Sequence, residues 1–157
     1  MFGQAYAQEK AADGGLTTDS LKTVLEGLGQ DIEKDVKNKD GKVIGYQVEL
    51  KQANTVTHPQ ITLSSDGTIF WVSVALSKCE IDAVPKKILG DMLIANDKMG
   101  PYFFHFDNGN NYFHLSTFVL NKNMKPKDVK RCLDGIASNL EAYESLWLQD
   151  KWPEAKK

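Results

Sequence analysis

Two histidines, an aspartate and a tyrosine bracket the clearest turn of the chain. Tyr102 to Asp107 and Tyr112 to Leu120 read as strands, and Asn108-Gly109-Asn110-Asn111 between them is a hairpin signal. Alternation puts His105 and His114 on the same side of that hairpin. A two-residue Gly109-Asn110 connection sets them directly opposite each other. An Asn108-Gly109 connection makes His105 face Tyr112 and His114 face Phe103. Asp107 and Tyr112 are neighbours in either register. Two imidazoles and a carboxylate are ingredients of a divalent metal site, or of an acid–base pair near neutral pH. A metal site needs a third or fourth converging ligand, which the sequence does not place. The simpler expectation is a half-exposed amphipathic face or a partner surface, with no metal and no cofactor assigned.

Other chemistry is sparse. The chain carries no Gly-rich phosphate loop, no HExxH, no paired CxxC and no G-x-S-x-G. Cys132 falls on the apolar stripe of a helix and reads as core. Cys79 lies far from it in sequence, and two cysteines at that spacing neither fit a metal motif nor decide whether they pair. Glu141 and Glu144 face outward at helical spacing, whereas paired catalytic carboxylates must flank a substrate in a cleft. No nucleophile sits beside an oriented base, so the chain is not expected to be an enzyme. The formal net charge is −2. All but one of the 19 basic residues are lysine, Arg131 being the exception. Bidentate recognition of phosphate or guanine relies on arginine forks, which argues against nucleic acid. The cluster Lys122, Lys125, Lys127, Lys130 and Arg131 reads as a solvated helix start. No apolar run approaches the length of about 18 residues that membrane insertion requires.

The elements that position these residues follow from periodicity. Leu21, Val24, Leu25 and Leu28 recur at helical spacing between a Thr17 or Thr18 cap and Gly29. Ile32–Lys37 is a weak strand, and Asn38–Gly41 a turn. Val43–Lys51 alternates, with Ile44, Tyr46, Val48 and Leu50 on one side. Gln52 to His58 is a polar connection. Ile61 and Leu63 point inward from a short strand that leads to a Ser65-Asp66-Gly67 turn. In Thr68–Leu76, Phe70, Val72, Val74 and Leu76 share one face, and Ile69, Trp71, Ser73 and Ala75 the other. Ile81–Met99 is a helix with Asp82 as N-cap and Ile88, Leu89, Met92, Leu93 and Asn96 on its stripe. Pro126 opens a last helix of about five turns that carries Val129, Cys132, Leu133, Ile136, Ala137, Leu140, Tyr143 and Trp147.

The expected fold class is α+β, two-layer, with a mostly antiparallel sheet in the order α-β-β-β-β-α-β-β-α. Residues 1–15 are expected as a mobile leader, 16–150 as one domain and 151–157 as a tail. Ala5-Tyr6-Ala7 before Gln8-Glu9 matches the end of a signal peptide, but Met1–Gln4 supplies neither a basic start nor an apolar stretch. The chain is cytoplasmic as it stands, and exported or periplasmic if Ala5-Tyr6-Ala7 closes a signal peptide. Helices serve one face of a two-layer sheet, so the other meets water, a partner or a folded-over last helix. Ile69, Trp71, Phe103, His105, Tyr112 and His114 fall on that second face. They are the candidate interface, for a homodimer or a peptide groove. The competing expectation is a small-molecule or metal-binding domain on the open face, with His105, Asp107 and His114 in its lining.

The order of elements resembles the type III secretion chaperone-like fold, and within it the YbjN group, the bacterial sensory transduction regulators. The resemblance rests on Leu89 to Asn96 (Leu-Gly-Asp-Met-Leu-Ile-Ala-Asn) before an aromatic hairpin, on Leu28-Gly29, and on the long final helix. It spans about residues 16–148. It implies a small homodimer that binds an extended segment of a partner protein and performs no chemistry. It transfers no individual functional residue.

Overall fold

The computed structural model describes residues 14–52 and 55–153. The Ala5-Tyr6-Ala7 motif and most of the expected leader and tail lie outside them. Helix α1 (Thr18–Gly27) begins at a reciprocal cap. Thr17 Oγ1 accepts from Ser20 N (3.2 Å), and Ser20 Oγ accepts from Thr17 N (2.8 Å). Leu21 and Leu25 are fully buried. Just ahead of the helix, buried Asn121 accepts from Leu16 N and donates to the carbonyls of Leu16 and Gly67, each at 2.8 Å. One side chain thereby ties the entry of α1 to the end of the sheet.

Six strands form the main sheet: β1 (Ile32–Lys37), β2 (Val43–Val48), β5 (Gln60–Leu63), β6 (Ile69–Lys78), β7 (Tyr102–Asp107) and β8 (Tyr112–Leu120). Their spatial order is β1-β2-β5-β6-β8-β7, and every neighbouring pair is antiparallel. The expected Val43–Lys51 strand divides. Its last residues, β3 (Leu50–Lys51), pair with β4 (Val56–Thr57) in a separate two-stranded ribbon. Alternation runs unbroken through the division, so it shows no sign of the change of partner. The connection expected to be irregular therefore carries a strand.

A bulge between Ala75 and Lys78 shifts the phase of β6. Leu76, expected inward, is only half-buried at the margin of the core, and Ser77 is the buried residue, with its Oγ donating to Trp147 O.

The helical stretch after β6 is also interrupted. Ile81–Ala83 forms a 3₁₀ turn, and α2 (Lys86–Lys98) starts after Pro85. Asp82 lies inside the turn and is not the N-cap. The buried stripe of α2 is Ile88, Met92 and Ala95, rotated from the expected one. Leu93, expected in the stripe, is 71% exposed, and Ile94 beside it is 56% exposed. Asn96, expected on the stripe, does face the sheet: its side chain donates to Phe104 O (3.0 Å) and accepts from Phe104 N (2.7 Å) on the outer edge of β7.

Helix α3 (Pro126–Ala142) has Pro126 in its first turn and buries Val129, Cys132, Leu133, Ile136 and Leu140. The continuous five-turn helix breaks at Tyr143 into a short α4 (Glu144–Trp147), where Trp147 Nε1 donates to Leu140 O (2.9 Å). Buried residues of α1, α2 and α3 all join the cluster formed by Phe70, Val72, Val74, Phe104, Phe113 and Leu115. The helices thus share one face of the sheet, and the last helix does not fold over the other.

Candidate functional site

The bare face of the sheet is set out by register. Ile69 lies opposite Leu120, Trp71 opposite Phe118, Ser73 opposite Ser116, and Ala75 opposite His114. On the other side of β8, Phe103 faces Ser116, His105 faces His114, and Asp107 faces Tyr112. All six candidate interface residues, Ile69, Trp71, Phe103, His105, Tyr112 and His114, are on this face. The observed pairing matches the first of the two registers considered, closed by a loop of residues 108–111.

The face has an apolar end and a polar band. At the apolar end the Trp71 and Phe118 rings lie 4.9 Å apart, and Phe103 meets Phe118 edge-on at 6.0 Å. Phe118 is 49% exposed and Leu120 73%. These two were missed in the sequence, although the alternation Tyr112, His114, Ser116, Phe118, Leu120 points to them. The exposed Leu93–Ile94 pair on α2 was missed because Leu93 was assigned to the buried stripe and Ile94 to no face.

The polar band is a hydrogen-bonded chain. His105 Nε2 lies 2.9 Å from Ser116 Oγ, which donates to Ser73 Oγ (2.8 Å), and Ser73 Oγ lies 3.2 Å from His114 Nδ1. The two imidazole rings stack at 5.1 Å with 17° between their planes. Desolvation lowers the pKa of both histidines. The neighbouring His114 lowers that of His105 further, and Asp107 opposes the shift in both. The Asp107 carboxyl is itself held below its ordinary value, first by Gly109 N (2.8 Å) and then by the Asn110 amide (2.8 Å).

This geometry does not suit a metal. The histidines stack instead of converging, and each has a ring nitrogen engaged by serine. Among the described residues no group of three or more His, Cys, Asp or Glu side chains could hold an ion. Ser116 and Ser73 touch imidazoles, but Ser116 is fully buried and closed to a substrate.

Beyond the band, β4 and its neighbours wall one side of an open cleft of about 470 Å³, with Tyr112, His114, Gln60, Val56, Thr57 and Trp147 in its lining. Leu76 also lines it, brought there by the β6 bulge. Lys78 Nζ sits 5.8 Å from the Tyr112 ring at the cleft's end.

No protein-family model and no curated protein matches the sequence. Solved structures do. A chain of the ExsC–ExsE complex superposes with a TM-score of 0.57 at 13% identity, over 87% of this chain and 97% of that one. A chain of the heterodimeric ExoU–SpcU complex from the type III secretion system of Pseudomonas aeruginosa gives 0.55 at 12% identity, over 80% and 96%. YbjN from E. coli gives 0.56 at 14% identity, over 82% and 94%. The chain has the type III secretion chaperone-like fold, which it shares with YbjN.

Proposed function

We propose that this chain is a non-enzymatic, chaperone-like module whose folded unit, residues 16–150, binds a segment of a partner protein on the bare face of its sheet. One observation carries the proposal. Ile69, Leu120, Trp71, Phe118 and Phe103 form a contiguous apolar strip that no helix among the described residues covers. An exposed aromatic strip of this kind marks an interaction site. Structural neighbours that are chains of protein–protein complexes support a protein as the occupant. The docked segment is uncharged where it crosses the strip, because an unpaired charge buried there is costly.

The module forms a homodimer in this proposal, through the second apolar surface at Leu93 and Ile94 on α2. Light scattering after size exclusion tests this. The wild type should run at twice 17.5 kDa, and the Leu93→Asp/Ile94→Asp variant at the single mass with its circular dichroism intact. A wild-type monomer at high concentration would remove the dimer.

A second function, binding of a small neutral ligand, is favoured by the cleft. Its volume falls in the range of ligand pockets, and Thr57 Oγ1 in its wall is buried without a hydrogen-bond partner.

A further inference from the structure

We propose that the stacked His105–His114 pair makes docking on the bare face pH-dependent: the face holds an uncharged segment at neutral pH and releases it as the pair takes up a proton. This rests on the docking function proposed above and adds its regulation.

The position of the pair is the first reason. The band of Ser73, Ser116, His105 and His114 separates the aromatic strip from the cleft. The Phe103 ring lies 5.6 Å from His105, and His114 lines the cleft. A segment that runs from Phe103 and Phe118 into the cleft crosses His114, with His105 stacked beside it.

The hydrogen-bond chain is the second reason. Ser116 spends its hydrogen on Ser73, so it accepts from His105 Nε2–H, and Ser73 donates to His114 Nδ1. Every link then holds one proton. A proton added at His114 Nδ1 turns that nitrogen into a donor. Ser73 then stops donating to it, whereas a proton taken up at His105 Nδ1 leaves the chain as it is. The two rings, stacked at 5.1 Å, titrate as a coupled pair. A second proton would place two imidazolium rings face to face at 5.1 Å.

Charges around the pair do not cancel this. On β7 and β8, Asp107 is the carboxylate facing the histidines, and its oxygens are committed to the loop. Tyr112 flanks His114 on β8 (6.3 Å between rings), and Lys78 on β6 lies against the Tyr112 ring (5.8 Å). From β6 the pair is faced by Ser73 and Ala75, which are uncharged. Across the cleft, His58 is already engaged by Glu33 at 2.9 Å.

A docked segment removes water from the pair and so favours the neutral rings. The affinity then falls as pH drops below the free protein's titration range, which lies under the ordinary histidine value. The slope is about tenfold per pH unit for each proton that binding must expel.

Nile red, an uncharged dye, is the probe, titrated into the full chain at pH 7.5 and 5.0. Alongside the wild type run His105→Gln/His114→Gln and Trp71→Glu, and the histidine ring protons are followed by NMR. Expected are a loss of dye affinity at pH 5.0 relative to pH 7.5 in the wild type, a flat response in the glutamine pair, and coupled ring titrations below the ordinary value. Dye binding that needs Trp71 but is equally tight at both pH values overturns the pH proposal alone. Independent titration of the two rings at the ordinary value does the same, whether or not the glutamine variant folds. Dye binding unaffected by Trp71→Glu overturns docking on this face, and the pH proposal with it.

Discussion

Trp71→Glu should weaken binding of the natural partner at least a hundredfold while leaving the protein folded. Tryptophan is among the residue types that concentrate binding energy at interfaces. Trp71 sits at the centre of the apolar strip, against Phe118. A carboxylate in its place would be buried without a counter-charge when the partner docks. The folded chain loses much less, because the ring points away from the core. Its pair with Phe118 contributes about 1 kcal/mol, which lowers Tm by roughly 2–4 °C in a chain of this size. Calorimetric titration with the partner recovered on the wild-type chain, beside a thermal melt of each protein, separates the two effects. An unchanged affinity would remove Trp71 from the interface.

Gly45→Ala should be among the most destabilising single-methyl changes in the chain, at about 3 kcal/mol or more. Gly45 pairs with Thr62 across β2 and β5. A Cβ there would overlap Ile61 O and come within 2.6 Å of Thr62 Cα. Both atoms are backbone, so no rotamer change relieves the overlap and the two strands must separate. Overpacking in a core usually costs about 1–3 kcal/mol, and a clash with backbone belongs at or above the top of that range. Chemical denaturation gives the number. A loss below about 1 kcal/mol would mean that β2 and β5 do not approach this closely.

Much of this architecture was legible in the sequence because period and turn chemistry agreed. The Tyr102–Leu120 hairpin, its turn residues and the placement of His105 and His114 on one face followed from alternation and turn chemistry, while their direct opposition was one of two registers that alternation left open. So did the placement of Ile69, Trp71 and Phe103 away from the core. Failures came where a local pattern was overruled by something distant. The β6 bulge moved Leu76 to the margin of the core, beside the cleft, and no turn signal marks a bulge inside an apolar run. Leu93 looked buried because it keeps the stripe's spacing, but α2 turns Ile88, Met92 and Ala95 to the core, a choice of face that tertiary packing makes and periodicity does not register. Leu50 kept perfect alternation while its strand changed partners. The cleft was invisible for the same reason, since it depends on where the β3–β4 ribbon leaves the sheet. Gly45 read as an ordinary outward position, and only the closeness of β5 shows why a side chain is excluded.

Site-specific photo-cross-linking in the native cell tests docking on the bare face most directly. A photoreactive phenylalanine replaces Phe118, in the middle of the strip, and in a second protein it replaces Glu26, exposed on α1. Docking predicts adducts from position 118 that map by mass spectrometry to one short, uncharged stretch of a different protein, and none from position 26. Adducts from 26 and not from 118 would contradict it, as would links from 118 solely to a second copy of this chain.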